Sequence, residues 1–299
     1  MQDYKLFAAL TAVIDTGSFE RAAEKLFITP SAVSQRIRQL EERMGQTLVV
    51  RSTPAIATTT GMRLLRHARQ VALLEQELQD DLQGDDRERL VELPIAINND
   101  SLHTWFIPAV TQILITERLL LQLKVEDEAH TLGLLKNGDV LGCVTSVEHP
   151  ASGCTSTRLG EMRYRCIATP AFAARYFPHG LNREALLRAP AITFGSSDTL
   201  HTNFLASRFA VAAGEFPSMT VPSVHSLLHC IQGGLGYGIC PELQWEEMLM
   251  AGALVDLMPA DRPTVQLHWH AWELQSPRIG RFIEHMVEQA RARLPQSSA

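Results

Sequence analysis

Lysine is scarce in this 299-residue chain: only Lys5, Lys25, Lys124 and Lys136 stand among 27 basic residues. None lies in a Gly-x-x-x-x-Gly-Lys-Ser/Thr loop, whose lysine must reach the outer phosphates, so a nucleotide-driven motor is excluded. The acidic stretch VEDEAH at 125–130, which in such a motor could hold magnesium, therefore needs another use. Gly-x-Ser-x-Gly is absent, and Ser, His and Asp are scattered over many elements, so no enzyme and no cofactor is implied. GGLGYG at 233–238 runs from a helical stretch into an apolar one, the reverse of a dinucleotide loop, and reads as a tightly packed turn. The five cysteines are odd in number, widely spaced and without a C-x-x-C, which suggests reduced, mostly buried thiols. No apolar run approaches the roughly 20 residues of a bilayer span, and MQDYKLFAAL lacks the pattern of a secretory signal. The expectation is a cytoplasmic chain with no membrane partner.

Charge is unevenly placed. The net formal charge is −6, yet from Arg21 to Arg69 nine basic side chains face only Glu24, Glu41 and Glu42. A basic N-terminal quarter on an acidic protein points to one region that meets phosphate.

Within that quarter, Leu6, Phe7, Leu10, Val13 and Ile14 recur at helical spacing until Gly17. Ser18 then caps a short second helix with Ala22, Ala23 and Leu26 inward, FIT makes a turn, and Thr29-Pro30 opens a third. On the third helix Val33, Ile37, Leu40 and Met44 fall on one side, and Ser31, Ser34, Gln35 and Arg38 on the other. Short polar and basic side chains suit a major groove: Gln pairs with adenine, Arg with guanine, and Ser reaches a base edge or phosphate. The expected DNA-binding set is Thr29, Ser31, Ser34, Gln35, Arg36, Arg38 and Arg51, the last on a small wing within residues 45–61. A long helix follows from Gly61 to about Gly84. Its stripe of Leu64, Ala68, Val71, Leu74, Leu78 and Leu82 is expected to pair with a second chain.

SFERAAEKLFITPSAVSQRIRQLEERMG, Ser18 to Gly45, with TLVVR after it, resembles the winged helix-turn-helix of LysR-type transcriptional regulators. The likeness continues through NDSLHTWFIPA, VEDEAHT, YFPHGLNREALLRAP, CPELQWE and LVDLMP, which resemble the branch that controls basic amino acid export. One departure is the wing, which after Arg51 reads Ser-Thr-Pro-Ala-Ile-Ala and leaves Arg51 as its one cation. The implied organisation is an all-α winged helix-turn-helix (residues 1–60), a linker helix and hinge (61–91) and an α/β effector domain (92–299). That domain would be of the periplasmic-binding-protein type, with subdomain I at about 92–166 and 269–299 and subdomain II at about 167–268. Implied partners are double-stranded promoter DNA, a small effector, a homodimer or homotetramer, and RNA polymerase.

In the C-terminal region, apolar runs at 94–97, 119–125, 140–145, 163–168, 191–194, 219–221 and 265–271 alternate with helical stretches, which implies parallel α/β units. Such sheets bind ligands beyond their carboxyl ends, at helix N-termini. Asn99, Asp100 and Ser101, Ser196 and Asp198, and Ser223 and Ser226 stand at three such starts, Thr145 at a strand end, and each Ser could equally be a simple N-cap. Glu126, Asp127 and Glu128 follow a strand. Alternation would send Glu126 and Glu128 one way and Asp127 the other, where a carboxylate could hold the cationic end of lysine or arginine. The pairs His225/His229 and His268/His270 could each share a face, but without a third ligand they read as packing or cleft lining rather than metal sites. The rival to an effector-responsive regulator is a nucleoid or origin-type DNA-binding protein with no physiological effector.

Overall fold

The structure is a computed structural model that describes residues 4–82, 90–126, 128–195, 199–273 and 276–296. Three helices open the chain: α1 (Tyr4–Thr16), α2 (Phe19–Leu26) and α3 (Pro30–Met44). Ser18 accepts from Arg21 N and Thr29 from Ala32 N, so each of the latter two begins at a side-chain cap that satisfies an otherwise orphaned donor. Leu6, Phe7, Leu10, Val13, Ala22, Ala23, Val33, Ile37 and Leu40 close into one core beneath them. A two-stranded wing follows, β1 (Val49–Val50) antiparallel to β2 (Ile56–Ala57).

Helix α4 (Thr59–Leu82) is 24 residues, about 36 Å at 1.5 Å per residue. Its first turns do not belong to a pairing stripe. Leu65 and Ala68 are buried in the core of α1–α3, and Leu64 packs against it, because the helix folds back across α1 before leaving the head. The intermolecular stripe expected from Leu64 onward is therefore corrected to begin no earlier than Val71, which is half-buried. The side chains of Leu74, Leu78 and Leu82 lie outside the described residues.

The remaining chain builds β3 (Val91–Ile97), α5 (Asn99–Ser101), a π-helical turn (Leu102–Phe106), α6 (Ile107–Thr116), β4 (Leu119–Val125), α7 (Glu128–Lys136) and β5 (Gly142–Thr145). Next come β6 (Cys154–Ala168), α8 (Pro170–Tyr176), α9 (Arg183–Leu186), β7 (Ala191–Thr193), α10 (Thr199–Phe209), β8 (Ser218–Thr220), α11 (Val224–Gln232) and β9 (Gly238–Pro241). A 3-10 turn (Glu242–Gln244), α12 (Glu246–Met250), β10 (Val255–Asp256), β11 (Thr264–Trp272) and α13 (Pro277–Arg293) complete it.

The large sheet runs β10-β6-β11-β5-β3-β4, with β9 also on β6. The all-parallel expectation is corrected here: β5, β3 and β4 are parallel, but β11 is antiparallel to both β5 and β6. The reason is connectivity, since β6 and β11 carry the chain out to the second subdomain and back in opposite senses. Residues 154–163 of β6 pair with β11, whereas Tyr164–Ile167 pair with β9 and Ile167–Ala168 with β10. The register slips between Leu267 and His268, opposite Gly160, whose φ of +147° an L side chain rarely adopts. Separate cores lie on the two sides of this crossing, one around Trp105, Phe106, Trp269 and Phe282, others around Phe177, Leu205 and Tyr237 and around Ile192, Ile231 and Trp245.

Gly142 illustrates how closely β5 and β11 pack. A Cβ there would stand 2.2 Å from Trp269 Cζ2, and that indole is buried. Gly142→Ala is therefore expected to cost about 1–3 kcal/mol by overpacking and to lower the thermal midpoint of the effector domain by several degrees; an unchanged midpoint by calorimetry contradicts this packing.

Candidate DNA interface and effector cleft

Helix α3 exposes Ser31, Gln35 and Arg38 to solvent, while Val33, Ile37 and Leu40 are at most 2% exposed. Ser34 and Arg36 are half-buried at the shoulders, and Met44, expected on the packed side, is 38% exposed because the helix outlasts the core at its last turn. Thr29 Oγ1 is committed to the cap and sits 2.9 Å from Ser31 Oγ, so it orders the start of the face. The Glu41 carboxylate accepts from Leu48 N at 2.8 Å and Val49 N at 3.3 Å, which fixes the wing to the back of α3. On the wing, the Arg51 guanidinium lies 5.5 Å from the centre of the Phe19 ring, a cation-π contact that holds the charge at the head's edge.

Phe27 was not anticipated. It ends α2 with φ 55°, a left-handed conformation that is costly for a bulky residue, and its ring is 95% exposed beside the start of α3. The sequence signal was available in FIT, an aromatic placed in a turn between two capped helices.

At the carboxyl ends of the parallel strands, β5, β3 and β4 are neighbours, which brings Thr145, Asn99–Ser101 and Glu126 to one edge. Ser101 is fully buried and its Oγ has no hydrogen-bond partner among the described residues. Asp100 Oδ2 accepts from Tyr164 OH at 2.7 Å, tying the helix start to the crossing strand. Just beyond, the helix passes through its π-helical turn, a geometry that recurs at functional sites. Thr145 is buried and its Oγ1 accepts from Val147 N at 3.3 Å. Glu126 is exposed, with its backbone N bonded to Ile97 O at 3.1 Å.

The alternation expected through the three acids falls largely outside the described residues: β4 stops at Val125 and α7 begins at Glu128. Asp127, Ser196 and Asp198 lie outside the described residues, as does the side chain of Glu128. In the second subdomain Ser223 is the N-cap of α11, accepting from Ser226 N at 3.3 Å, and Ser226 is exposed. Tyr164 escaped sequence reading; 64 residues separate it from Asp100 and no local pattern joins them.

The histidine pairs divide. His225 and His229 are exposed on one face of α11 with ring centres 4.5 Å apart. His268 and His270 point to the same side of β11, His270 fully buried, and burial lowers the pKa of each below 6.5. Among the described residues no group of three or more His, Cys, Asp or Glu side chains is placed to hold a metal ion.

A winged helix-turn-helix carried on a long helix, with strand ends and a helix start gathered at the edge of a two-subdomain α/β module, defines a DNA-binding protein with a ligand domain. Residues 4–62 match the model for bacterial regulatory helix-turn-helix proteins of the lysR family, and residues 99–291 match the LysR substrate binding domain. The chain belongs to the LysR family of transcriptional regulators. It is 41% identical over 292 residues, 98% of each chain, to the HTH-type transcriptional regulator ArgP of Aeromonas salmonicida. Its fold resembles the crystal structure of ArgP from Mycobacterium tuberculosis with a TM-score of 0.89 at 37% identity, covering 99% of this chain and 100% of that one. It resembles full-length LysG of Corynebacterium glutamicum with bound effector Arg with a TM-score of 0.84, also at 37% identity, covering 98% and 100%. The family is one of regulators, not enzymes, and the nucleoid-type alternative is not favoured, since the ligand domain is matched along with the head.

Two outcomes follow from this geometry. Gln35→Ala is expected to relax preference at one base pair by about 1–3 kcal/mol, whereas Arg51→Ala weakens all duplexes alike and lowers the salt slope by about 0.9; competition binding at several salt concentrations separates them, and identical profiles contradict the assignment. Because His268 and His270 have lowered pKa values in the fold, the unfolded chain binds more protons as pH falls below about 6.5. Stability is therefore lost on acidification, and His270→Gln should flatten the dependence of the thermal midpoint between about pH 7 and pH 5.

Proposed function

We propose that this protein is a transcription factor that senses lysine or arginine and controls a gene for basic amino acid export. The observation that carries the reading is the edge formed by β3, β4 and β5. The orphan Ser101 hydroxyl and the helix start at Asn99 suit an α-carboxylate, while Glu126, with Asp127 and Glu128 beside it, suits the cationic end of the side chain. A neighbour described with bound Arg supports the same ligand class.

In this reading Ser31, Ser34, Gln35, Arg36 and Arg38 meet promoter DNA, Thr29 orders their helix and Arg51 meets phosphate. Thr145, Ser196, Asp198, Ser223 and Ser226 complete the wall of the effector cleft. The working division is a head at 1–60, a linker at 61–91 and an effector domain at 92–299, subdomain I comprising about 92–166 and 269–299 and subdomain II about 167–268. Pairing along α4 beyond Val71 gives a homodimer with two recognition helices. The exposed Ile107, Ile115 and Leu120, on α6 and the edge strand β4, offer a second apolar contact for a tetramer. Such a regulator acts in the cytoplasm, on RNA polymerase at its promoter; no described helix is long and apolar enough to cross a membrane.

Titration calorimetry of the full-length protein with lysine, arginine and the neutral analogues norleucine and citrulline tests the reading. The expected result is binding of the cationic pair alone, with Glu126→Gln or Glu128→Gln weakening it by about tenfold or more, since a charge-assisted bond contributes about 1.5–3 kcal/mol. Norleucine binding as tightly as lysine overturns it.

A further inference from the structure

Two arginines one turn apart on α4 seat the DNA-binding head on the effector domain. Arg66 Nη1 donates to Ser152 O at 3.3 Å. Arg69 Nη1 donates to Gly138 O at 2.6 Å and to Asp139 Oδ1 at 3.0 Å, and its Nη2 donates to Asp15 Oδ1 at 2.6 Å. Lys25 Nζ holds the other Asp15 oxygen at 3.3 Å. One guanidinium thus joins a carboxylate on α1, inside the head, to a carboxylate on the turn after α7. Its side chain is only 20% exposed, so this junction is partly shielded from solvent.

The turn is built for close approach. Gly138 N bonds to Leu135 O at 3.0 Å and Asp139 N to Leu134 O at 2.9 Å, which closes α7 with Gly138 in a left-handed conformation at φ +75°. A Cβ on Gly138 would stand 2.9 Å from Arg66 Cα, so helix backbone and turn are in direct contact. Helix α7 is itself fixed to the sheet: Leu132 and Leu135 are buried, and buried Thr131 Oγ1 donates to Val144 O at 2.8 Å. Its nine residues span about 13 Å, with Glu126 just ahead of one end and the partner of Arg69 just past the other.

We propose that Arg69 is a positioning residue for regulation: it passes a displacement of α7, caused when an effector engages the acids at its N-terminus, through Asp139 and Asp15 to the head. Because one guanidinium holds both carboxylates, a shift of the turn relative to α1 either carries α1 with it or stretches a charge-assisted bond. This rests on the reading of residues 126–128 as effector contacts.

The test uses full-length wild type, Asp139→Asn and Asp139→Glu, with an operator duplex selected from a randomised pool and arginine as the effector. Calorimetry gives arginine affinity, and fluorescence anisotropy gives operator affinity with and without arginine. The expected result is that Asp139→Asn binds arginine within about twofold of wild type yet loses most of the arginine-dependent change in operator affinity, a coupling of about 5–150-fold in typical cases, while Asp139→Glu retains it. A merely structural salt bridge would lower the thermal midpoint and leave that ratio intact, and an Asp139→Asn protein with the full ratio overturns the proposal. If wild type binds neither arginine nor lysine, the effector reading fails separately. The junction is then judged on effector-free protein by hydrogen exchange: faster exchange at residues 66–72 and 137–141 in Arg69→Ala or Asp15→Asn supports it, and unchanged exchange overturns it.

Discussion

The burial of Val33, Ile37 and Leu40 against α1 and α2 is the constraint on which the rest of the molecule depends. A helix of 15 residues is marginal alone in water, and its outward Ser31, Gln35 and Arg38 would sample many directions. Packed on Leu10, Val13, Ala22 and Ala23, capped by Thr29 and tied to the wing by Glu41, α3 becomes a rigid edge. Base readout needs several hydrogen bonds made at once, so a loosely held helix would retain charge attraction to DNA but not sequence preference.

The second constraint is the crossing pair β6 and β11. Their long antiparallel ladder carries the chain between two separately cored subdomains, and it is interrupted by the register slip opposite Gly160. The slip lies within the first subdomain's core, where Leu159 and Leu267 are both fully buried. Tyr164, four residues beyond Gly160, donates to Asp100 at the start of the helix that follows β3. Arg165, one residue on, is bound to Glu242 and Asp256 and so anchors the other side. The strand that crosses the boundary is thereby fastened to elements of both subdomains.

Much of this was legible in the sequence for local reasons. Period-3.6 burial, Ser18 and Thr29 at helix starts and a Pro at the first helical position all act within a few residues, so the three-helix head could be read directly. The apolar runs of β3, β4 and β5, each followed by polar residues, placed the candidate edge for the same reason. What could not be read depends on partners distant in the chain. The sense of β6 and β11, the use of Ala68 in the core of the head, the Tyr164–Asp100 bond and the bridging role of Arg69 all join segments tens of residues apart. Strands β9 and β10 are short and become strands only because β6 offers them an edge. The acids at 126–128 were legible by composition alone, as a charged stretch immediately after β4, which ends at Val125.

The central claim is that the outward face of α3 reads duplex DNA from the major groove, twice per functional unit. Chemical protection of guanine N7 atoms, which lie in that groove, tests it most directly on a selected operator duplex. The account predicts protected guanines in two clusters about one helical turn or a multiple of it apart, abolished in a Ser31→Ala, Gln35→Ala, Arg38→Ala triple variant that remains folded. Wild-type binding with no N7 protected, or protection unchanged in the triple variant, would contradict it.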